Sequence, residues 1–297
     1  MRRTLPPCLR PRYCGFATLL RLPLVAFDLA NLIDRMTLRE AAENRFEGDN
    51  LDMDYRRVFG GQILAQTIVA LREKSDGKSL KSLWQQFPRE GDVALPMTYD
   101  VTVHQAGRTF ATLGVQATQD GKLISVGAAS LHTPEAGLAH PATAPSVPGP
   151  DDARPVQIDM IPWEIHVVGD ADLNAPDVHP PHYQWWMRTP AIAELGAEDS
   201  DWTHQALLAH ATDLTVIGTA LLPVEGLSQA DTGTKFHSAV TSHTLWFHQS
   251  FRMDDWLLVD QVSPVLAGSR AFGRGDVWTQ DGRLVASFAQ ESMVRPL

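Results

Sequence analysis

Two side chains stand out for chemistry because each is polar inside an otherwise oily stretch. Asp213 lies in Ala206-Leu207-Leu208-Ala209-His210-Ala211-Thr212-Asp213-Leu214-Thr215-Val216-Ile217, a run that is apolar on nearly every helical face. Burying a carboxylate there is costly unless it is paired or hydrogen-bonded. A carboxylate held that way is a candidate general base. The plainer readings are one exposed stripe of the helix, or an N-cap where the helix breaks. Gln290 closes the apolar strand Leu284-Val285-Ala286-Ser287-Phe288-Ala289. A lone Gln in a strand ordinarily marks an edge or a wet face. Thr241 and Ser242 open the next polar candidate, a strand at 242–247, and could donate or accept near Asp213. His243 and His248 bracket Thr244-Leu245-Trp246-Phe247. Five residues apart on a strand they point to opposite faces, so they do not share a metal and read as structural.

The elements that must position these residues occur twice. Thr118-Gln119-Asp120-Gly121-Lys122-Leu123-Ile124 matches Thr279-Gln280-Asp281-Gly282-Arg283-Leu284-Val285, and Gly107 falls on Gly268 without a gap. Self-similarity of this kind signals a duplicated unit. Asp-Gly in each copy predicts a tight hairpin turn of the primed type. Where the second copy carries Gln290 the first carries Ala129. A polar residue present in only one copy is a candidate for chemistry rather than packing.

Apolar periodicity and turn signals divide the chain. Residues 1–27 hold several Arg and no Asp or Glu. They are expected to be a disordered N-terminal extension, with a transit segment or an upstream start codon as the other readings. Residues 28–47 are helix-prone, with Leu29, Leu32, Ile33 and Met36 on one face. The pair Gly60-Gly61 opens a helix through Leu71 that is apolar nearly all round and so buried. Strands are expected at 83–87, 97–103, 110–118 and 123–131, joined by short turns and therefore antiparallel. Seven prolines between 134 and 162 mark a linker and a domain boundary. Beyond it the scheme repeats: strands at 163–168 and 183–187, a helix over about 203–222 with Asp213 inside it, then strands at 242–247, 256–262, 271–279 and 284–292. This is an α+β chain with an N-terminal half at 28–133, a linker at 134–163 and a C-terminal half at 164–297.

Composition narrows the chemistry. The chain has 297 residues and a formal net charge of −10, with no basic run. Generic nucleic-acid binding is disfavoured. Its two cysteines, Cys8 and Cys14, both lie near the N-terminus. The body therefore holds no thiol nucleophile and no Cys-based zinc site. P-loop, GxGxxG, GxSxG and HExxH motifs are absent. No apolar run reaches the ~18 residues of a membrane span.

Several ordered motifs carry a family resemblance: Arg57-Val58-Phe59-Gly60-Gly61-Gln62, Gly91-Asp92 with Pro96-Met97-Thr98-Tyr99-Asp100-Val101, Ala211-Thr212-Asp213-Leu214, and His243-Thr244-Leu245-Trp246-Phe247-His248. The closing Asp281-Gly282-Arg283-Leu284-Val285-Ala286-Ser287 with Gln290-Glu291 and Arg295 completes the set. Over roughly residues 28–296 the chain resembles the acyl-CoA thioesterase II family, with its double hotdog fold. The resemblance implies two antiparallel sheets, each wrapped around a long central helix and joined edge to edge. It implies hydrolysis of fatty acyl-CoA to free acid and CoA by a water held by an Asp, a Gln and a hydroxyl. Asp213 and Gln290 fall on the first two positions. The hydroxyl position falls on Val240, a departure. Ser242, taken to share a strand face with Val240, is the expected substitute, with Thr241 behind it.

A thioester carbonyl is reactive enough for direct attack by a positioned water. Asp213 would take its proton, Gln290 and a hydroxyl would orient it, and backbone N–H groups at Gly60-Gly61 would receive the oxyanion. The CoA phosphates need cations, for which Arg56, Arg57, Arg270 and Arg274 are candidates. The family implies no metal or cofactor, and the expected setting is a cytoplasmic homo-oligomer without a membrane span. Two other readings stay open, an enoyl-CoA hydratase and a non-catalytic acyl-CoA binding protein. The hydratase loop Gly-Asp-x-Asn-Pro is missing, while Val240 keeps the binding protein in play.

Overall fold

The computed structural model describes residues 28–51, 56–158 and 160–297. The expectations for residues 1–27, Cys8 and Cys14 included, lie outside the described residues. The described chain forms four helices and thirteen strands. They run α1 (Leu29–Met36), β1 (Arg39–Ala42), β2 (Arg45–Gly48), α2 (Gly60–Arg72), β3 (Ser79–Gln86), β4 (Met97–Ala106), β5 (Phe110–Gln119) and β6 (Lys122–His132). Then come β7 (Arg154–Ile158), β8 (Ile161–Val167), β9 (His182–Arg188), α3 (Asp201–Thr212), α4 (Thr215–Leu221), β10 (Phe236–Phe247), β11 (Leu257–Ala267), β12 (Arg270–Thr279) and β13 (Leu284–Pro296).

All the strands belong to one sheet, in the order β1-β2-β4-β5-β6-β3-β10-β13-β12-β11-β9-β8-β7. Every neighbouring pair is antiparallel. β3 pairs with β10 at the centre and joins strands from the two halves of the chain. Leu64 and Ile68 of α2 and Leu207 and Leu208 of α3 share one buried core cluster with the inward faces of the strands. Glycines let α2 and α3 approach backbone to backbone. A Cβ on Gly61 would stand 2.5 Å from the His210 carbonyl oxygen, and one on Gly60 would stand 2.9 Å from Asp213 Oδ2.

Five expectations need correction. First, the helical pattern at 28–47 stops at Met36, and β1 and β2 follow as a hairpin through Asn44 at φ 60°. The apolar i, i+3, i+4 pattern ends there, and β1 is an exposed edge strand. Second, the Pro-rich 134–163 segment is not all linker, because β7 lies within it and Pro155 pairs with His166. An edge strand needs hydrogen bonds on one side only, so it tolerates proline.

Third, the helix at 203–222 is two helices. Asp213 and Leu214 keep helical dihedrals, yet the run is interrupted between α3 and α4. Fourth, the repeated Asp-Gly makes two different turns. Asp120 and Gly121 both have positive φ, as a two-residue primed turn requires, but in the second copy only Gly282 does. There Gly282 N donates to Thr279 O and Thr279 N to Arg283 O, a longer turn closed by a left-handed glycine. Fifth, a β-bulge sits between Val240 and Ser242. Bulges break the two-residue alternation. Past it, His243, Leu245 and Phe247 are buried, while Ser242, Thr244 and Trp246 are partly or fully exposed. Ser242 therefore belongs to the outward face with Thr244 and Trp246, and alternation no longer ties it to Val240.

Gly61→Ala should cost on the order of 1–3 kcal/mol, because backbone rather than a movable side chain meets the new methyl. Gly149→Ala, with open space around its Cβ position, should stay within about 0.5 kcal/mol. Urea denaturation of both variants checks the pair.

Candidate active site

Asp213 ends α3, facing the first turn of α2, and it is buried. Its Oδ1 has no hydrogen-bond partner among the described residues. Burial pushes its pKa up to about 7 from an ordinary 3.8, and the backbone N–H of Gly61 pulls against that shift. The positive end of a helix is a natural place for a carboxylate. Asp213 therefore sits near the midpoint between acid and base at neutral pH.

An open cleft of ≈ 1490 Å³ meets this carboxylate. Phe59, Gly60 and Ile63 of the α2 start line it, with Leu214 and Ile217, Trp163 of β8, and Val240 and Thr241 of β10. Arg57, Arg89 and Arg295 bring cationic groups to the same cleft. Its wall is mostly apolar near Asp213, as an acyl chain or similar ligand would need.

Gln290 is buried on β13, with His243 directly opposite it on β10. His243 Nδ1 and Gln290 Oε1 are 2.9 Å apart. Burial lowers the His243 pKa to about 4, so the ring is neutral. An amide oxygen only accepts, so Nδ1 carries the hydrogen and Nε2 accepts. Thr212 Oγ1, 3.2 Å from Nε2 and 3.3 Å from Ala209 O, shares its one hydrogen between these two acceptors. At the other end of the amide, Gln290 Nε2 donates to Ser292 Oγ at 3.0 Å. A buried hydrogen-bonded path thus runs from Thr212, the neighbour of Asp213, through His243 to Gln290 and Ser292.

The expected site residues divide accordingly. Asp213, Gly60, Arg57 and Thr241 line the cleft, with Gly61 just behind Gly60. Gln290 does not line it and joins the Asp213 end through His243 and Thr212. Thr241, the bulge residue, commits its hydroxyl hydrogen to Glu291 O at 2.9 Å. Ser242 and Arg56 stand outside the cleft wall. So do Arg270, which lies 3.5 Å from Glu291, and Arg274, exposed on β12. Arg57 is partly engaged, with Nε 2.7 Å from Glu90. Sequence reasoning missed Arg89, Thr212 and Ser292, and it left Arg295 and His243 without a role. Arg295, His243 and Thr212 lay inside quoted motifs. Ser292 lies two residues past Gln290, within reach of a wider search. Nothing local marks Arg89. Among the described residues no group of three or more His, Cys, Asp or Glu gathers as a metal site would require.

Comparison with known proteins gives consistent results. A family model described as the acyl-CoA thioesterase N-terminal domain matches residues 50–132, and one described as the C-terminal domain matches residues 139–294. Acyl-coenzyme A thioesterase 8 of Homo sapiens is 31% identical over 287 residues, 88% of this chain and 87% of that protein. Acyl-CoA thioesterase 2 of Haemophilus influenzae is 31% identical over 90% of this chain and 98% of its own. Among solved structures, an acyl-CoA thioesterase II of Mycobacterium marinum matches with TM-score 0.74 and 30% identity, covering 90% of this chain and 98% of that one. A hot dog fold protein of Alicyclobacillus acidocaldarius matches with TM-score 0.73 at 18% identity, over 90% and 98% of the two chains, which speaks for fold alone. The chain has an α+β hotdog fold.

The raised pKa of Asp213 links stability to pH. Between about 4 and about 7 the folded protein holds a proton that the unfolded chain has lost, so stability falls as pH rises through that window. Asp213→Asn carries no charge and escapes the penalty. Its stability relative to wild type should grow by up to a few kcal/mol between pH 4 and pH 8. Urea denaturation at both pH values checks this; a difference independent of pH would contradict the buried carboxyl.

Proposed function

The chain belongs to the acyl-CoA thioesterase family, and on that premise we propose that it hydrolyses fatty acyl-CoA to free acid and CoA with a water activated by Asp213. The observation that carries the assignment of Asp213 is its buried carboxylate, with Oδ1 unpartnered among the described residues, at the wall of a large apolar cleft. The water oxygen bonds to the thioester carbon while its proton passes to Asp213. The carbonyl becomes an oxyanion, for which the first turn of α2 offers N–H groups beside that of Gly61, which is already bonded to Asp213. Collapse of that intermediate breaks the C–S bond, and Asp213 returns the proton to the leaving sulfur. A carboxyl poised near pH 7 suits both directions of transfer.

Gln290 is assigned to orient the water through its amide, clamped between His243 and Ser292. Its place behind the cleft wall means that the bound acyl-CoA must open a short path to it. Of the two expected hydroxyls it is Thr241, not Ser242, that stands at the cleft wall, with only its oxygen lone pairs available. Arg57, Arg89 and Arg295 are the candidates for the CoA phosphates, in preference to Arg56, Arg270 and Arg274.

The architecture is read as a double hotdog, with halves at 28–133 and 164–297, segment 134–163 between them and the junction at β3 and β10. Trp84 and Trp246, both exposed on these central strands, offer a surface for the homo-oligomer. No helix among the described residues is long and apolar enough to cross a membrane, and a cytoplasmic setting is proposed.

Purified protein should release free thiol from saturated acyl-CoA and leave crotonyl-CoA unhydrated. Tight binding without thiol release would instead favour a binding protein. In wild type kcat/KM should rise with pH through about 7. Asp213→Asn should lower kcat by about 10²–10³ with little change in KM, and adding Gln290→Ala should cost less than the two single losses multiplied. Arg295→Ala should raise KM several-fold, and the difference should shrink as salt increases; an unchanged KM would remove Arg295 from the phosphate site.

A further inference from the structure

Position 240 is where the resemblance places a hydroxyl, and Val240 has none. In the ladder Val240 pairs directly with Ser292 of β13. The inward stripe of that strand is Ala286, Phe288, Gln290, Ser292 and Val294, all buried. Gln290 and Ser292 are its two polar members. Ser292 has no measurable exposure, and burying a hydroxyl without a partner is unfavourable. Its partner is the Gln290 amide nitrogen. No acceptor takes its own hydroxyl hydrogen among the described residues.

We infer that Ser292 is a positioning residue for the proposed hydrolysis, supplying from β13 the hydroxyl that Val240 lacks on β10 and fixing the Gln290 amide. This inference rests on the thioesterase reading above. The geometry gives it a definite form. His243 holds the amide oxygen and Ser292 one amide hydrogen, so the amide is held at both ends. The second hydrogen on Nε2 has no acceptor among the described residues. The Ser292 hydroxyl hydrogen is a further donor on the same inward face. Val240 lines the cleft whereas Ser292 lies behind its wall, and directly opposite side chains in an antiparallel pair have Cβ atoms about 4.5–5.5 Å apart. A hydroxyl on either strand can therefore serve nearly the same volume.

The interchange is the test. Thiol release is measured for wild type, Ser292→Ala, Val240→Thr and the double variant, with melting temperatures for all four. Ser292→Ala should lower kcat by about three- to tenfold, the loss of one neutral hydrogen bond, while KM stays within about twofold. Adding Val240→Thr to Ser292→Ala should restore most of that kcat, whatever the melting temperature does. A merely structural serine would not be rescued by a hydroxyl on the neighbouring strand. Wild-type kcat in Ser292→Ala, or a slow Ser292→Ala that Val240→Thr does not restore, overturns the inference and leaves the thioesterase reading intact. A wild-type protein that releases no thiol overturns that reading and this inference with it.

Discussion

The contact on which the rest depends is the approach of the α2 start to the end of α3. Gly60 and Gly61 leave no side chain there, so the α2 backbone comes against the His210 carbonyl and the Asp213 carboxylate. That closeness excludes water from Asp213 and raises its pKa. It also brings the Gly61 N–H onto the Asp213 carboxylate. A larger residue at either glycine would separate the helices and rehydrate the carboxylate. Packing and chemistry are thus set by the same two positions.

The two long helices carry polar groups of different kinds. On α2, Gln62 Oε1 accepts from Leu51 N at 2.9 Å, and Gln66 Oε1 accepts from Tyr99 Oη at 2.6 Å while its amide nitrogen donates to Arg35 O and Asp49 O. These bonds tie α2 to the chain around 35–51 and to Tyr99 of β4, and they satisfy the amides. At the end of α3, Asp213 keeps an oxygen at the cleft that has no partner among the described residues. Fully paired buried groups hold structure, whereas an unpaired buried carboxylate carries a cost.

The cleft joins features from distant parts of the chain. Arg57 and Arg89 precede and follow β3 elements of the first half, whereas Asp213, Val240 and Arg295 come from the second. They meet because β3 and β10 pair at the centre of the sheet. His243 pairs with Gln85 on one side and Gln290 on the other, so the junction strand also carries the path from Thr212 to Gln290.

Much of this was legible in the residues alone. The duplicated heptapeptide, the Gly pair before an apolar helix, and single polar residues in oily elements are local facts, and period and turn chemistry place most strands. Asp213 could be singled out because a carboxylate in a buried run is energetically conspicuous wherever the run folds. What the chain could not declare by itself was set between strands. The bulge at Val240 and Ser242 turned Ser242 to the outward face, and only pairing with β13 creates that bulge. The same pairing put Ser292 opposite Val240, 52 positions away in the chain. A proline-rich stretch became a strand because a sheet edge was there to receive it. Local propensity determines which elements form; register and edge position are long-range, and here they decide which side chains share the site.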